Sequence, residues 1–248
     1  RVLFRSNEND EVTKDISEGL EYIKNNKQVN NVLLTGGDPL VMSTSKLEPI
    51  IKQLREIDHV KIIRIGTKVP AFNPFRILND PSLLEMFKTY STAEKKIYIM
   101  AHFNHPRELT SEAIEGLDLL LKSGVTLVNQ TPLVQGVNDD PEVLAELFAK
   151  LSYIGVPPYY VFLCRPTLGN ETYSVPIERG FEIFEKARTL CSGLAKRARM
   201  VMSHESGKIE VVGMTEEQIF FKYLRAADKH NDARFMIYDR NPEANWFD

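Results

Sequence analysis

The chain is short of several things, and each shortage narrows its function. It has two cysteines, one tryptophan and no run of apolar residues near the roughly 18 needed to cross a bilayer. Cys164 and Cys191 are too few for a disulfide framework or a complete structural zinc site, and they read first as buried free thiols. With no such run and no apolar signal-peptide core at its start, the chain is expected in the cytoplasm with no membrane partner. Charge of one sign is missing too. Thirty-one Lys and Arg stand against 34 Asp and Glu, a formal net charge of -3. Because the signs are mixed along the chain, nucleic acid is not expected as a partner and a small molecule is. There is no initiator methionine, and Arg1-Val2-Leu3-Phe4-Arg5-Ser6 matches, in frame, the translation of a common sequencing-library adapter. Residues 1–6 are therefore read as a scar outside the fold, and the chain as a fragment of a longer protein.

What is present suits a large α/β domain. The 248 residues are 43% hydrophobic and 26% charged, enough apolar material for a sizeable core. Val12, Ile16, Leu20 and Ile23 recur at helical spacing, and the short buried strand Val32–Leu34 follows, closed by Gly36-Gly37. The alternation repeats. Leu47, Ile50, Ile51, Leu54 and Ile57 mark a helix before the strand Val60–Ile65, and a helix over Pro81–Tyr90 leads to the strand Ile97–Ala101. The helix Thr110–Ser123 precedes Thr126–Gln130. Asp140-Pro141 supplies a cap and a first-turn proline for a helix ending at Gly155, before the strand Tyr159–Leu163. After a helix over Ile177–Leu190, Met200–Met202 and Ile209–Val212 flank a turn at Ser206-Gly207. Helices between successive strands imply right-handed crossovers and a parallel sheet, as a barrel or an open sheet. Either way, ligands gather at the carboxyl ends of the strands.

Those ends are rich in polar side chains. Thr35-Gly36-Gly37-Asp38 offers two positions where a ligand can approach the backbone and a carboxylate that accepts from an ammonium group, or else a capped tight turn. Arg64, Lys68 and Arg76 place three cations near one rim, able to hold a carboxylate or phosphate, or simply solvated. Thr67 ends the same strand. His102-Phe103-Asn104-His105-Pro106 follows the third strand, and continued alternation turns His102 inward, where it suits hydrogen bonding to a ligand better than zinc. Asn129 and Gln130 are costly to bury unpaired, hence a core network or a ligand site. Arg165 follows the fifth strand. Lys208, after a glycine turn, is a solvated hairpin lysine or a functional amine.

Taken together, Leu34-Thr35-Gly36-Gly37-Asp38, Arg64-Ile65-Gly66-Thr67, His102-Phe103-Asn104-His105-Pro106, Asn129-Gln130 with Gly136-Val137-Asn138-Asp139, and Pro158-Tyr159-Tyr160 resemble the lysine 2,3-aminomutase family of radical S-adenosylmethionine enzymes, over roughly residues 10 to 212. The resemblance implies a partial (β/α)6 TIM-like barrel over residues 7–192, with its first strand and cluster loop missing, and a C-terminal hairpin and extension over residues 193–248. It implies S-adenosylmethionine, a 4Fe-4S cluster on a Cys-x3-Cys-x2-Cys loop, and pyridoxal 5′-phosphate as cofactors. Gly36, Gly37 and Asp38 would face the methionine amino group. Arg64, Thr67, His102, Asn129 and Gln130 would serve cofactor binding, Arg76 and Arg165 substrate binding, and Lys208 would carry the pyridoxal. The implied reaction is hydrogen abstraction from an amino-acid-like substrate by a 5′-deoxyadenosyl radical, with 1,2-amino migration if pyridoxal binds. The stretch from about Thr215, ending in Asn245-Trp246-Phe247-Asp248, is left with two readings, packing under the barrel or across a dimer, the second of which would make a homo-oligomer.

The sequence departs from that family in ways that matter. The three cluster cysteines are absent, so no metal ligands are expected in this fragment. Arg165 stands where the lysine enzymes carry an aspartate for the distal ammonium, and a second such aspartate has no counterpart around Met202 or Ser203. That exchange predicts a substrate with an anionic end, not lysine. His204, Glu205 and Ser206 replace the usual glycines before the pyridoxal lysine, and Asp140 replaces a zinc cysteine. Two other readings therefore stay open: a pyridoxal-independent radical enzyme acting on an anionic substrate, and a cluster-less barrel that binds without turnover.

Overall fold

The computed structural model describes residues 16–247. The adapter-like residues 1–6 and Val12 of the expected first helix lie outside them. No described helix is long and apolar enough to cross a membrane. The elements run α1 (Ser17–Asn25), β1 (Asn31–Leu34), α2 (Thr44–Arg55), β2 (Ile62–Thr67), α3 (Val69–Phe72), α4 (Phe75–Leu78), α5 (Pro81–Tyr90), β3 (Ile97–Ala101), α6 (Ser111–Lys122), β4 (Thr126–Leu133), α7 (Pro141–Tyr153), β5 (Pro158–Leu163), α8 (Ile177–Leu190), β6 (Arg199–His204), β7 (Gly207–Met214), β8 (Gln218–Ala226) and β9 (Phe235–Asp239). The expected α/β class is observed, with strands and helices alternating as far as β6.

Two compact units divide the chain. The first holds the described residues up to His102 together with Glu108–Val128. In it β1, β2 and β3 pair in parallel, in the register Val32↔Ile63↔Ile97 and Leu34↔Ile65↔Ile99. Because side chains alternate across a strand, Ile63, Ile65, Ile97 and Ile99 share one face, and all four are fully buried. The apolar stripes of α2 (Leu47, Ile51, Leu54), α5 (Leu83, Met86, Phe87) and α6 (Leu117, Leu120) are buried with them. Each such side chain contributes about 1.5–3 kcal/mol on burial. Surface pairs such as Lys122–Asp118 add at most about 0.5 kcal/mol. Apolar patterning therefore fixes this unit. β2 starts later than the sequence pattern suggests, because the Val60 amide closes a turn onto the Ile57 carbonyl, and it runs on to Thr67.

The second unit holds Phe103–Arg107 and the chain from Asn129 onward. β4, β5 and β6 are parallel, and β6 through β9 are successive antiparallel pairs. Its core gathers Leu133, Phe148, Val161, Leu163, Phe184, Met200, Met202, Ile209 and Phe221. Asp140 caps α7 through its carboxylate, accepting from the amides of Glu142 and Val143, with Pro141 in the first turn as expected. The stretch after Thr215, which sequence reasoning left without strands, forms β8 and β9 on the β6–β7 hairpin. Past β9 the chain returns to the start of α8. There the buried Glu178 carboxylate accepts from the Asn241 amide at 2.6 Å and pairs with Arg240 at 2.9 Å, and the Ile177 amide donates to the Ala244 carbonyl.

Candidate functional site

In the first unit the strand ends are drawn together by their own side chains. Gly36 and Gly37 sit at φ of 93° and 57°, a left-handed turn that a side chain would strain. They leave two bare backbone positions after β1. Asp38 then folds back. Its Oδ1 accepts from the Leu40 amide at 3.0 Å and from the Thr67 hydroxyl at 2.6 Å, and its Oδ2 accepts from the Lys68 amide at 2.6 Å. It thus caps the turn Pro39–Val41 and ties it to the end of β2, and Oδ2 keeps room for one further donor. Thr67 is spent in the same knot. It is buried, donates to Asp38 and accepts from the Val69 amide, so it supports the turn and does not itself reach a ligand.

The three expected cations separate. Lys68 donates to Glu108 at 2.6 Å and to the His102 carbonyl at 3.2 Å. Arg64, on the half-open face of β2, donates from Nε to the Asn31 side chain at 2.9 Å. Arg76 is engaged inward. Its Nε donates to the Leu40 carbonyl, one Nη to Asp80 at 2.5 Å, and the other Nη to the Met42 carbonyl and the Thr44 hydroxyl. Four of its five N–H groups are used in holding the β1–α2 loop, so the geometry supports a structural tie where sequence reasoning expected a substrate contact. Burial pushes the Asp80 carboxyl up, but hydrogen bonds from Ser82, Thr44, the Leu83 amide and Arg76 outweigh it and hold it down at about 2. His102 lies half-buried just past β3.

Asn129 resolves toward the core network. It is buried, its amide group donates to the Phe103 carbonyl and the Thr131 hydroxyl, and its Oδ1 accepts from the Phe103 amide at 2.8 Å. It pins the segment after β3 beside β4, with both of its N–H groups spent there. Asn138 does similar work: fully buried, it accepts from the Val134 amide and donates to the Asn104 and Pro132 carbonyls. Gln130, one residue on from Asn129, is half-buried on the opposite face of β4.

That opposite face is where the second unit gathers its presented groups. Gln130 pairs in register with Tyr160, Pro132 with Phe162, and Ser203 with Lys208. Lys208 projects from β7 with its Nζ 4.6 Å from the ring centres of both Tyr160 and Phe162. Those rings meet edge to face at 5.7 Å. Two aromatic faces around an ammonium attract it electrostatically and screen it from water. Burial, then the neighbouring Tyr159 hydroxyl, pushes the Tyr160 phenol up, so it remains a neutral donor. Arg199 and Glu210 flank the group at 3.7 Å from each other. Lys208 is thus no solvated hairpin lysine. Sequence reasoning missed Phe162 and Glu210, although the period of two from Tyr160 to Phe162 in β5 was the signal for the first.

Arg165 lies half-buried two residues past β5, in a loop braced by Asn170, whose side chain donates to the Arg165 carbonyl and accepts from the Thr167 amide. Leu168 at the tip of that loop is fully exposed. Both cysteines are free; Cys191 is buried as expected, Cys164 only half-buried, and burial pushes both thiols up. Among the described residues no three His, Cys, Asp or Glu side chains converge as a metal ion requires, and His102 and His105 find no third ligand.

The chain is thus an α/β scaffold with a glycine turn after its first strand and, in its second unit, a half-buried lysine set against an aromatic pair. No family model matches it. Curated relatives do. A protein of Aquifex aeolicus named "Putative L-lysine 2,3-aminomutase" is 60% identical over 253 aligned positions, covering 100% of this chain and 68% of its own length. The L-lysine 2,3-aminomutase of Acetoanaerobium sticklandii is 45% identical over 73% of this chain and 42% of its own. The glutamate 2,3-aminomutase of Clostridioides difficile is 37% identical over 77% of this chain and 44% of its own. The chain belongs to the lysine 2,3-aminomutase family, and it spans less than half the length of the last two relatives.

Proposed function

We propose that the protein containing this chain is a radical S-adenosylmethionine aminomutase in which Lys208 holds pyridoxal 5′-phosphate and the substrate is an amino acid with a distal carboxylate. The observation that carries the reading is Lys208 itself, an amine set over Tyr160 and Phe162 on a half-open sheet face. Once it gives up its proton, an amine shielded from water in this way can capture a carbonyl cofactor. When bound, pyridoxal phosphate supplies delocalisation for a migrating nitrogen, and S-adenosylmethionine with its cluster supplies the hydrogen-abstracting radical. The described residues offer no ligand set for a cluster, so the roles drawn here are those of binding, orientation and exclusion of water.

Gly36 and Gly37 leave the backbone bare for close approach, and the spare lone pair on Asp38 Oδ2 suits the amino group of S-adenosylmethionine. His102 in the first unit and Gln130 in the second are each half-buried polar groups at or near a strand end. Arg165 supplies a fixed positive charge where the lysine enzymes carry an aspartate, which favours a carboxylate and rejects an ammonium. That a relative is named for glutamate, a distal carboxylate compound, supports this direction.

Two measurements test the reading on the full-length gene product. Borohydride reduction with pyridoxal 5′-phosphate is expected to leave a phosphopyridoxyl group on Lys208, located by peptide mass spectrometry; a labelled protein without that peptide sinks the lysine assignment. Reduction in the presence of S-adenosylmethionine is expected to release 5′-deoxyadenosine, faster with glutamate than with lysine. Release without pyridoxal labelling favours the pyridoxal-independent reading, and release of none favours binding without turnover. Arg165→Ala is expected to raise KM for the acidic substrate at least about tenfold, the cost of one charged hydrogen-bond partner.

A further inference from the structure

The residues before Lys208 replace a glycine-rich approach with His204, Glu205 and Ser206, and the structure shows what they build. Behind the β6–β7 hairpin, on the face opposite Lys208, the Ser206 amide donates to His204 Nδ1 at 3.1 Å. An amide can only donate, so Nδ1 carries the lone pair and the ring proton sits on Nε2. The Ser206 hydroxyl, 2.7 Å from the same Nδ1, must then donate to it, which leaves its oxygen to accept from the Tyr223 hydroxyl at 2.8 Å. The direction of the whole chain, from Tyr223 through Ser206 to His204, follows from one backbone bond. The His204 ring is clasped by Trp246 and Phe247 of the C-terminal segment, at centroid distances of 6.2 and 5.7 Å.

Three further features lie between that chain and the lysine. Gly207, at φ 142°, has no space for a side chain, since a Cβ there would stand 2.2 Å from the Arg225 carbonyl oxygen. The Ala227 amide donates to the Ser206 carbonyl at 2.8 Å, fixing the turn against β8. The β7–β8 ladder then shifts register between Lys208, opposite Arg225, and Ile209, opposite Tyr223, so Leu224 is the extra residue of a bulge. Bulges re-aim the side chains beside them. The same Tyr223 that ends the hydrogen-bond chain therefore also flanks the bulge that directs Lys208.

We propose that Tyr223, Ser206 and His204 form a positioning device that sets the aim of the Lys208 amine, with Trp246 and Phe247 as its clasp. The inference rests on the reading of Lys208 as the cofactor lysine, and its test is arranged to separate the two. In the full-length protein, the rate of reductive trapping of pyridoxal 5′-phosphate at Lys208 is measured beside the rate of its acetylation by acetic anhydride, which releases acetate. His204→Asn keeps an acceptor at the place of Nδ1, whereas His204→Gln moves it to the place of Nε2; both lose the ring that Trp246 and Phe247 hold. Tyr223→Phe removes one donor and keeps the ring. His204→Gln and Tyr223→Phe are expected to slow both rates about fivefold, which corresponds to one hydrogen bond, with His204→Asn within about twofold of the parent. Equal slowing of the Asn and Gln variants would mean that ring packing alone matters, and it overturns the proposal. So does labelling of the Gln and Phe variants at the parent rate. If the parent takes no phosphopyridoxyl group while acetylation follows the expected order, the positioning device stands and the cofactor reading falls.

Discussion

The strand ends after β1 and β2 and the sheet face of β5–β7 carry equally polar residues, and they use them in opposite ways. After β1 and β2, Asp38, Thr67, Lys68 and Arg76 bond to neighbouring backbone and to one another, so the loops are held and few groups face outward. On the β5–β7 face Lys208 lies against the rings of Tyr160 and Phe162, which shield it from water. A polar side chain is thus read from the elements around it: the loops after β1 and β2 spend theirs on holding backbone, whereas the β5–β7 face sets its lysine among rings.

The comparison breaks first at Asp38. If it is a tie, Asp38→Ala orphans the amides of Leu40 and Lys68 and the Thr67 hydroxyl together, and the variant should lose about 2–3 kcal/mol of stability. Urea unfolding measures this, and a loss below about 0.5 kcal/mol would return Asp38 to a purely ligand-facing role.

A smaller effect sharpens the same side. Asp80 caps α5 and pairs with Arg76, so Asp80→Asn is expected to cost about 1.5 kcal/mol near neutral pH. Its folded carboxyl is held at about 2 against an ordinary 3.8. A carboxyl depressed by folding stabilises fully above its unfolded value and loses that contribution as pH falls through the folded one. The gap in melting temperature between parent and Asp80→Asn should therefore be constant above pH of roughly 4 and close as pH drops toward 2. A gap that persists at pH 2 would show that the carboxylate charge is not what Asp80 contributes.

Much of the fold was legible because apolar periodicity dominates it. The Asp140-Pro141 start of α7 comes straight from residue types. β8 and β9 were not legible, since a meander added to a hairpin carries no crossover helix to announce it. The polar residues were legible by their place at strand ends and less so by what they bond to. Asn129 and Gln130 are consecutive on one strand and must point to opposite faces, so they cannot line one cavity together; that rule was available from the sequence. Arg76 is different. Nothing in its spacing says that Leu40 and Met42 would turn their carbonyls toward it, because loop carbonyls are aimed by tertiary packing.

The smallest stability effect tests the presented side. Lys208→Met keeps the length of the side chain and places a thioether against Tyr160 and Phe162, a contact that aromatic rings favour. The loss of cation–π attraction is offset by the new contact and by the removal of a half-buried charge, so stability should stay within about 0.5 kcal/mol of the parent. Pyridoxal labelling, by contrast, should vanish completely. A variant that instead unfolds early would place Lys208 among the ties, beside Asp38, and erase the distinction between the two regions. One that keeps both its stability and its label would move the reactive amine elsewhere. Only loss of the label with stability retained fits an amine that the sheet presents without depending on it.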